Sequence, residues 1–162
     1  MTSLVPILKQ ADIFYGMNNT QMELIANLCV EKVFKAGEVI FYEGATSDEL
    51  YLITQGEVDI QVNPTLVSNH PDQQVQPVTI ATLMRGQNFG EMALIDKGVR
   101  SATARAAQKN TRVLIRPSQE LIHLCEAYPE LGYRLMSNLA SDLALKLRNT
   151  DLMIREDFLH RK

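Results

Sequence analysis

Apolar residues return every three or four positions at both ends of this chain and gather into short β-branched runs in its middle. That change of period divides it into three parts. Leu4, Ile7, Leu8 and Ala11 keep helical spacing, and Pro6 is tolerable in a first turn. A second short helix is predicted from Thr20 followed three residues later by Glu23, a capping-box arrangement. Met22, Leu24, Ile25 and Leu28 form its apolar side. From Val30 to Arg116 the predicted elements are strands: Val33-Phe34, Val39-Ile40-Phe41, Leu50-Tyr51-Leu52-Ile53, Val58 to Val62, Val78-Thr79-Ile80, Thr103 to Ala107 and Val113-Leu114-Ile115. Six of the eight glycines fall in this span, mostly where one strand gives way to the next. The segment Asn63 to Pro77, rich in proline, glutamine and aspartate, reads as a long solvated hairpin loop.

After Arg116 the helical period resumes. Ser118 is the predicted N-cap of a helix carrying Leu121, Ile122, Leu124 and Cys125, and Pro129 suits the first turn of a longer one. Leu131, Leu135, Leu139, Leu143 and Leu147 line one edge of that longer helix, with Met136, Ala140, Ala144 and Leu145 beside them. A stripe this wide buries more than one side, so one side is expected on the β part and the other on a partner. The repeat runs in fours rather than heptads, which suits a helical homodimer interface and not a coiled coil. A charge at Leu139 or Leu143 is then expected to break the partner contact. The fold class is mainly β with flanking helices. Specifically it is a double-stranded β-helix (jelly-roll) with N-terminal helices at 1–28, a β-roll at 29–116 and C-terminal helices at 117–155, in one domain over 1–162.

Composition then removes several classes of function. Lys and Arg total 16 against 19 Asp and Glu, a net charge of −3, so no broad footprint for nucleic acid exists. No apolar run approaches the roughly 20 residues of a membrane span. The opening Met1-Thr2-Ser3-Leu4-Val5-Pro6 has no secretory pattern. Cys29 and Cys125 are isolated in apolar surroundings and read as small buried hydrophobes in a reducing, cytoplasmic compartment. His70, His123 and His160 have no ligand spacing, so no metal, haem or iron–sulfur cofactor is expected, nor the clustered histidines of metal-dependent jelly-roll enzymes. No serine stands in a Gly-x-Ser-x-Gly turn. The reading is a binding protein, not an enzyme.

Candidate chemistry concentrates between residues 89 and 102. Gly90 follows a β-type run and opens Glu91 to Ile95, mostly good helix formers, where a glycine lets the backbone bend and a ligand come close. The opening amides of a helical turn suit an anion such as phosphate. Nine residues after Glu91 comes Arg100, then Ser101, at the head of a run in which Ala102, Ala104 and Ala106 leave room. An arginine aimed into that room is a poorly solvated cation without a counter-ion. A phosphate held by the guanidinium and the serine hydroxyl answers that need. Glu91 has the wrong charge for phosphate and the right group for a ribose hydroxyl.

This segment resembles the phosphate-binding cassette of the cyclic nucleotide-binding domain family. Phe89-Gly90-Glu91-Met92-Ala93-Leu94, a five-residue spacer and Arg100-Ser101-Ala102 satisfy the family pattern at every position. Gly37-Glu38-Val39-Ile40-Phe41, Glu43-Gly44, Asp48 to Ile53 and Gly56-Glu57-Val58 match a second family stretch, and the resemblance runs from about residue 4 to 150. It implies cyclic AMP or cyclic GMP as ligand, with Glu91 on the ribose 2′-hydroxyl, Arg100 on the exocyclic phosphate and Ser101 on phosphate or base. Gly90, Met92, Ala93 and Ala102 would present backbone to the sugar-phosphate, and Leu83, with Ile60 and Ile80, would pack on the base. The family's long C-terminal helix closes over the base, which makes Lys146, Leu147, Arg148 and Asn149 the lid candidates. Regulators of this family continue into a helix-turn-helix domain. This sequence leaves no room for one after its long helix, so no direct DNA binding is expected, and Met1 suggests a whole gene product.

Two functions follow from this sequence. One is a cyclic nucleotide sensor whose ligand pulls the C-terminal helices into place, acting on an effector protein. The other is a ligand-independent dimerisation or interaction module built on the same β-roll.

Overall fold

The period-two runs of the middle segment form eight strands in two four-stranded antiparallel sheets, within a computed structural model that describes residues 3–64 and 76–161. The strands are β1 (Val30–Phe34), β2 (Val39–Phe41), β3 (Glu49–Gln55), β4 (Glu57–Val62), β5 (Val78–Met84), β6 (Asn88–Phe89), β7 (Thr103–Ala106) and β8 (Thr111–Pro117). One sheet runs β1-β8-β3-β6 and the other β2-β7-β4-β5. Helices α1 (Val5–Leu8) and α2 (Asn19–Ala26), with a 3-10 turn at Asp12–Phe14 between them, precede the sheets. Helix α3 (Met92–Asp96) interrupts them, and α4 (Ser118–Ala127) and α5 (Pro129–His160) follow. All seven expected strand stretches are strands, and the mainly-β architecture with helices at both ends holds. Strand β6 was not expected, because two residues, one of them a polar asparagine, carry no periodic signal. The loop expected between Asn63 and Pro77 lies, over 65–75, outside the described residues.

Alternation along β3 and β8 explains why the first sheet is buried on both faces. Leu50, Leu52 and Leu114 point to the helices, joining Leu8, Phe14, Ile25, Leu121, Leu131, Leu135 and Leu139 in one core. Tyr51, Ile53 and Val113 point between the sheets, where they meet Phe34, Val58, Phe89, Ala104 and Ala106. A strand apolar on both faces reads as a continuous run, as Leu50-Tyr51-Leu52-Ile53 does.

Three local details differ from the sequence expectation or sharpen it. Helix α2 is capped by Asn18 and not Thr20: Asn18 Oδ1 accepts from the Gln21 amide at 2.9 Å, and Gln21 Oε1 accepts from the Asn18 amide at 3.0 Å. The upstream box wins because Met17 and Met22, before the cap and one turn into the helix, share one core cluster and staple the chain there. Ser118 is not an N-cap but the first residue of α4. Its hydroxyl donates to the Asp48 carbonyl, tying the helix to the segment that enters β3. Gly132 lets α5 pass close to α4, since a Cβ there would sit 2.8 Å from the Cys125 carbonyl oxygen.

The leucine stripe of α5 divides in two. Leu131, Leu135 and Leu139 are core residues, whereas Leu145, Leu147, Leu152, Met153, Ile154, Phe158 and Leu159 are exposed. Leu139 is therefore not a partner-facing position.

Both cysteines are free and half-buried, and burial raises both thiol pKa values above the ordinary range. Raised values mean less thiolate in the native state, so iodoacetamide should alkylate the folded protein at pH 7 about tenfold more slowly than the urea-unfolded chain. Mass-spectrometric time courses check this.

Candidate functional site

The cassette is a connection between the two sheets. The chain leaves β6 through Gly90, turns at Glu91 into α3, passes a left-handed Lys97 and reaches Arg100 before entering β7. Gly90 has φ +77°, and a Cβ there would sit 2.8 Å from Arg100 Nη1 and 2.9 Å from the Glu49 carbonyl oxygen. Only glycine satisfies both demands.

Arg100 is held from every side. Its amide donates to the Ala45 carbonyl at 2.8 Å, and its own carbonyl accepts from the Gly44 amide at 2.7 Å. Its side chain is 4% exposed. Nε donates to Ser47 Oγ at 2.9 Å, Nη1 to the Gly90 carbonyl at 3.0 Å and Nη2 to the Glu49 carbonyl at 2.8 Å. The guanidinium carbon lies 4.2 Å from the centroid of the Phe41 ring and 5.6 Å from that of Tyr51. Burial lowers the Arg100 pKa, while Tyr51 and Glu49 oppose the shift. Among the described residues no carboxylate forms an ion pair with it. The room expected beside the alanines is filled: Ala104 and Ala106 pack in the inter-sheet core, and Phe41, Tyr51 and Phe89 close over them as an aromatic cluster. A guanidinium has five N–H donors, so three bonds to neutral oxygens leave at most one on each terminal nitrogen for an anion.

Glu91 is 6% exposed. Its Oε1 accepts from Lys146 Nζ at 3.1 Å, and its Oε2 is enclosed without a partner. Lys146 comes from α5 and also donates to the Asn88 carbonyl at 2.9 Å and pairs with Asp142 Oδ2 at 2.9 Å. Asn88 Nδ2 donates to the same Asp142 oxygen at 3.3 Å. The long helix is thus fastened to the cassette through four polar side chains.

The remaining sequence candidates fall as follows. Within the cassette Ala93 is buried and Met92 exposed. Ser101 is exposed, its hydroxyl 3.9 Å from Met92 Sδ, and Ala102 is half-buried. Leu83 on β5 pairs with Val58 and, like Ile60, packs against the inter-sheet core, whereas Ile80 is exposed. Of the four lid candidates only Lys146 touches the cassette; Leu147, Arg148 and Asn149 are exposed. Sequence reasoning missed Ser47, Asn88 and Asp142. Asp142 carried one readable signal, its spacing of four from Lys146 on a helix. Ser47 and Asn88 carried none, because their partners lie 53 and 54 residues away.

A buried arginine and a buried glutamate on one glycine-opened connection between two antiparallel sheets define a ligand-binding β-roll. The chain belongs to the cyclic nucleotide-binding domain family, whose model matches residues 31–128. It is 32% identical over 145 residues to the cyclic AMP receptor protein of Thermus thermophilus, a match covering 90% of this chain and 61% of that protein. The cAMP-dependent protein kinase regulatory subunit of Schizosaccharomyces pombe is 30% identical over 100 residues, covering 62% of this chain and 21% of the subunit. The crystal structure of the Thermus thermophilus catabolite activator protein superposes with a TM-score of 0.73 at 30% identity, covering 92% of this chain and 63% of that one. The chain spans less than two thirds of the length of each of these relatives. Among the described residues, no helix is long and apolar enough to cross a membrane, and no three His, Cys, Asp or Glu residues are grouped to hold a metal ion.

Proposed function

We propose that this chain is a regulatory sensor of a cyclic purine nucleotide, acting by binding and not by catalysis, as one unit across residues 1–162. Arg100 holds the exocyclic phosphate with its spare N–H groups, Ser101 adds a hydroxyl, and Gly90, Met92, Ala93 and Ala102 offer backbone. Glu91 accepts from the ribose 2′-hydroxyl, and Leu83 packs on the base. The observation that carries this reading is Glu91 Oε2, an enclosed carboxylate oxygen with no donor in reach. An unmade bond to such a buried acceptor costs about 1–3 kcal/mol, which a ligand hydroxyl recovers. Relatives named for cyclic AMP make that nucleotide the first to test, with cyclic GMP beside it.

The signal is a repositioning of α5, which already touches Glu91 through Lys146. The exposed apolar half of α5 serves a homodimer and an effector protein in the cytoplasm, with no direct DNA or membrane contact. Those same apolar residues favour the second reading, a ligand-independent interaction module.

Calorimetry separates the two. The sensor should bind cyclic AMP or cyclic GMP with Kd of about 1 μM or tighter, near −8 kcal/mol. Ligand at 100 times Kd should raise stability by about 2.7 kcal/mol. Glu91→Ala should weaken binding by about tenfold or more. No heat with either nucleotide at millimolar concentration rejects the sensor.

A further inference from the structure

We propose that Lys146 is a positioning residue for Glu91, holding one carboxylate oxygen so that the other stays free for a ligand hydroxyl. This rests on the reading of the cassette as a nucleotide site and adds to it a residue from outside the cassette.

The lysine has all its donors used, whereas the glutamate keeps one enclosed oxygen unpaired. An ammonium has three N–H donors, and Lys146 Nζ meets three acceptors: Glu91 Oε1 at 3.1 Å, Asp142 Oδ2 at 2.9 Å and the Asn88 carbonyl at 2.9 Å. Asp142 sits one helical turn before Lys146 and is itself held by Asn88 Nδ2, so the ammonium is fixed from both α5 and β6. The terminal torsion of a glutamate is broad and nearly two-fold, so an unrestrained carboxylate has no preferred plane. Pinning Oε1 sets that plane and determines where Oε2 faces. Oε2 has no partner of its own. A carboxylate accepts at both oxygens, so the lysine and a ligand hydroxyl bind it together and do not compete.

Charge gives the same sign. A nucleotide phosphate approaching Arg100 must also approach the Glu91 carboxylate, because Arg100 Nη1 already bonds the carbonyl of the adjacent Gly90. Lys146 offsets that negative charge where little water can screen it, since the Glu91 side chain is 8% exposed. Removing the lysine leaves an unpaired buried carboxylate beside an incoming anion.

The test uses cyclic AMP and cyclic GMP with their 2′-deoxy analogues, titrated calorimetrically into the full chain and its Lys146→Met and Asp142→Asn variants. The parent protein should prefer the ribose form by about tenfold or more. Lys146→Met should weaken binding of the ribose form and reduce the preference to within about twofold, because an unaimed Glu91 no longer distinguishes the hydroxyl. Asp142→Asn loosens the lysine without removing any bond to Glu91 and should reduce the preference by a smaller factor. A general loss of fold would weaken both forms alike, and thermal melts report it separately. Unchanged preference in both variants overturns the proposal, as does tighter binding in Lys146→Met, which makes the lysine a competitor. A parent protein that binds no nucleotide overturns the cassette reading itself, and this result is distinct because every titration is then flat.

Discussion

Arg100→Ala should abolish cyclic nucleotide binding, raising Kd by about 100-fold or more, and should also destabilise the protein without ligand. The first effect follows from the charge-assisted bonds to phosphate, each worth about 1.5–3 kcal/mol, so the loss of two accounts for two or more orders of magnitude. The second follows from what the side chain does when no ligand is present. It donates to Ser47 Oγ and to the Gly90 and Glu49 carbonyls, and it covers Phe41. Truncation leaves those acceptors without their donor and opens a cavity among the rings, so a loss of about 2–4 kcal/mol is expected. Arg100→Lys should recover little, because an ammonium on a flexible stem cannot reproduce a planar fork meeting three oxygens. Calorimetry reads the binding and urea unfolding the stability. An alanine variant with parental Kd would mean that the anion is not held by this guanidinium.

Leu139→Asp should unfold most of the protein, whereas Leu147→Asp should leave it folded. Leu139 is 0% exposed and belongs to the helix-facing core with Leu131 and Leu135. A carboxylate there is buried without a partner, which costs about 4–5 kcal/mol or more, and the lost leucine packing adds about 2–5, against a typical total of about 5–15. Leu147 is 64% exposed, so its substitution should change stability by no more than about 0.5 kcal/mol. If the outer half of α5 joins two copies, Leu147→Asp dissociates them with the fold intact. Circular dichroism and sedimentation equilibrium on the two variants check both outcomes. A folded Leu139→Asp protein would contradict the burial of Leu139 in the helix-facing core.

These two cases mark where sequence pattern stops being informative. Leu131 to Leu147 share one period, and period alone assigns them one role. The change from core to surface between Leu139 and Leu145 reflects what the helix meets along its first half, α4 and the 3-10 turn whose Ile13 and Tyr15 carbonyls accept from Asn138 Nδ2, and no residue spacing on α5 encodes that. In the same way Gly90, Glu91 and Arg100 were legible as a unit, because together they match the cassette pattern of the cyclic nucleotide-binding domain family. The neutral oxygens that hold Arg100 were not, since two of the three come from the segment around Ser47 and Glu49, more than 50 residues upstream.

By its own periodicity the amino-acid sequence determined seven of the eight strands, the main helices and the order in which they occur, since each depends on neighbours a few positions apart. Only the tertiary structure decided that Arg100 rests on Phe41, that Lys146 reaches Glu91 across 55 residues and that the leucine stripe divides in two. Those contacts form when separately encoded elements pack. Their partners are selected by shape and by the need to satisfy buried charge, and neither is written in local pattern.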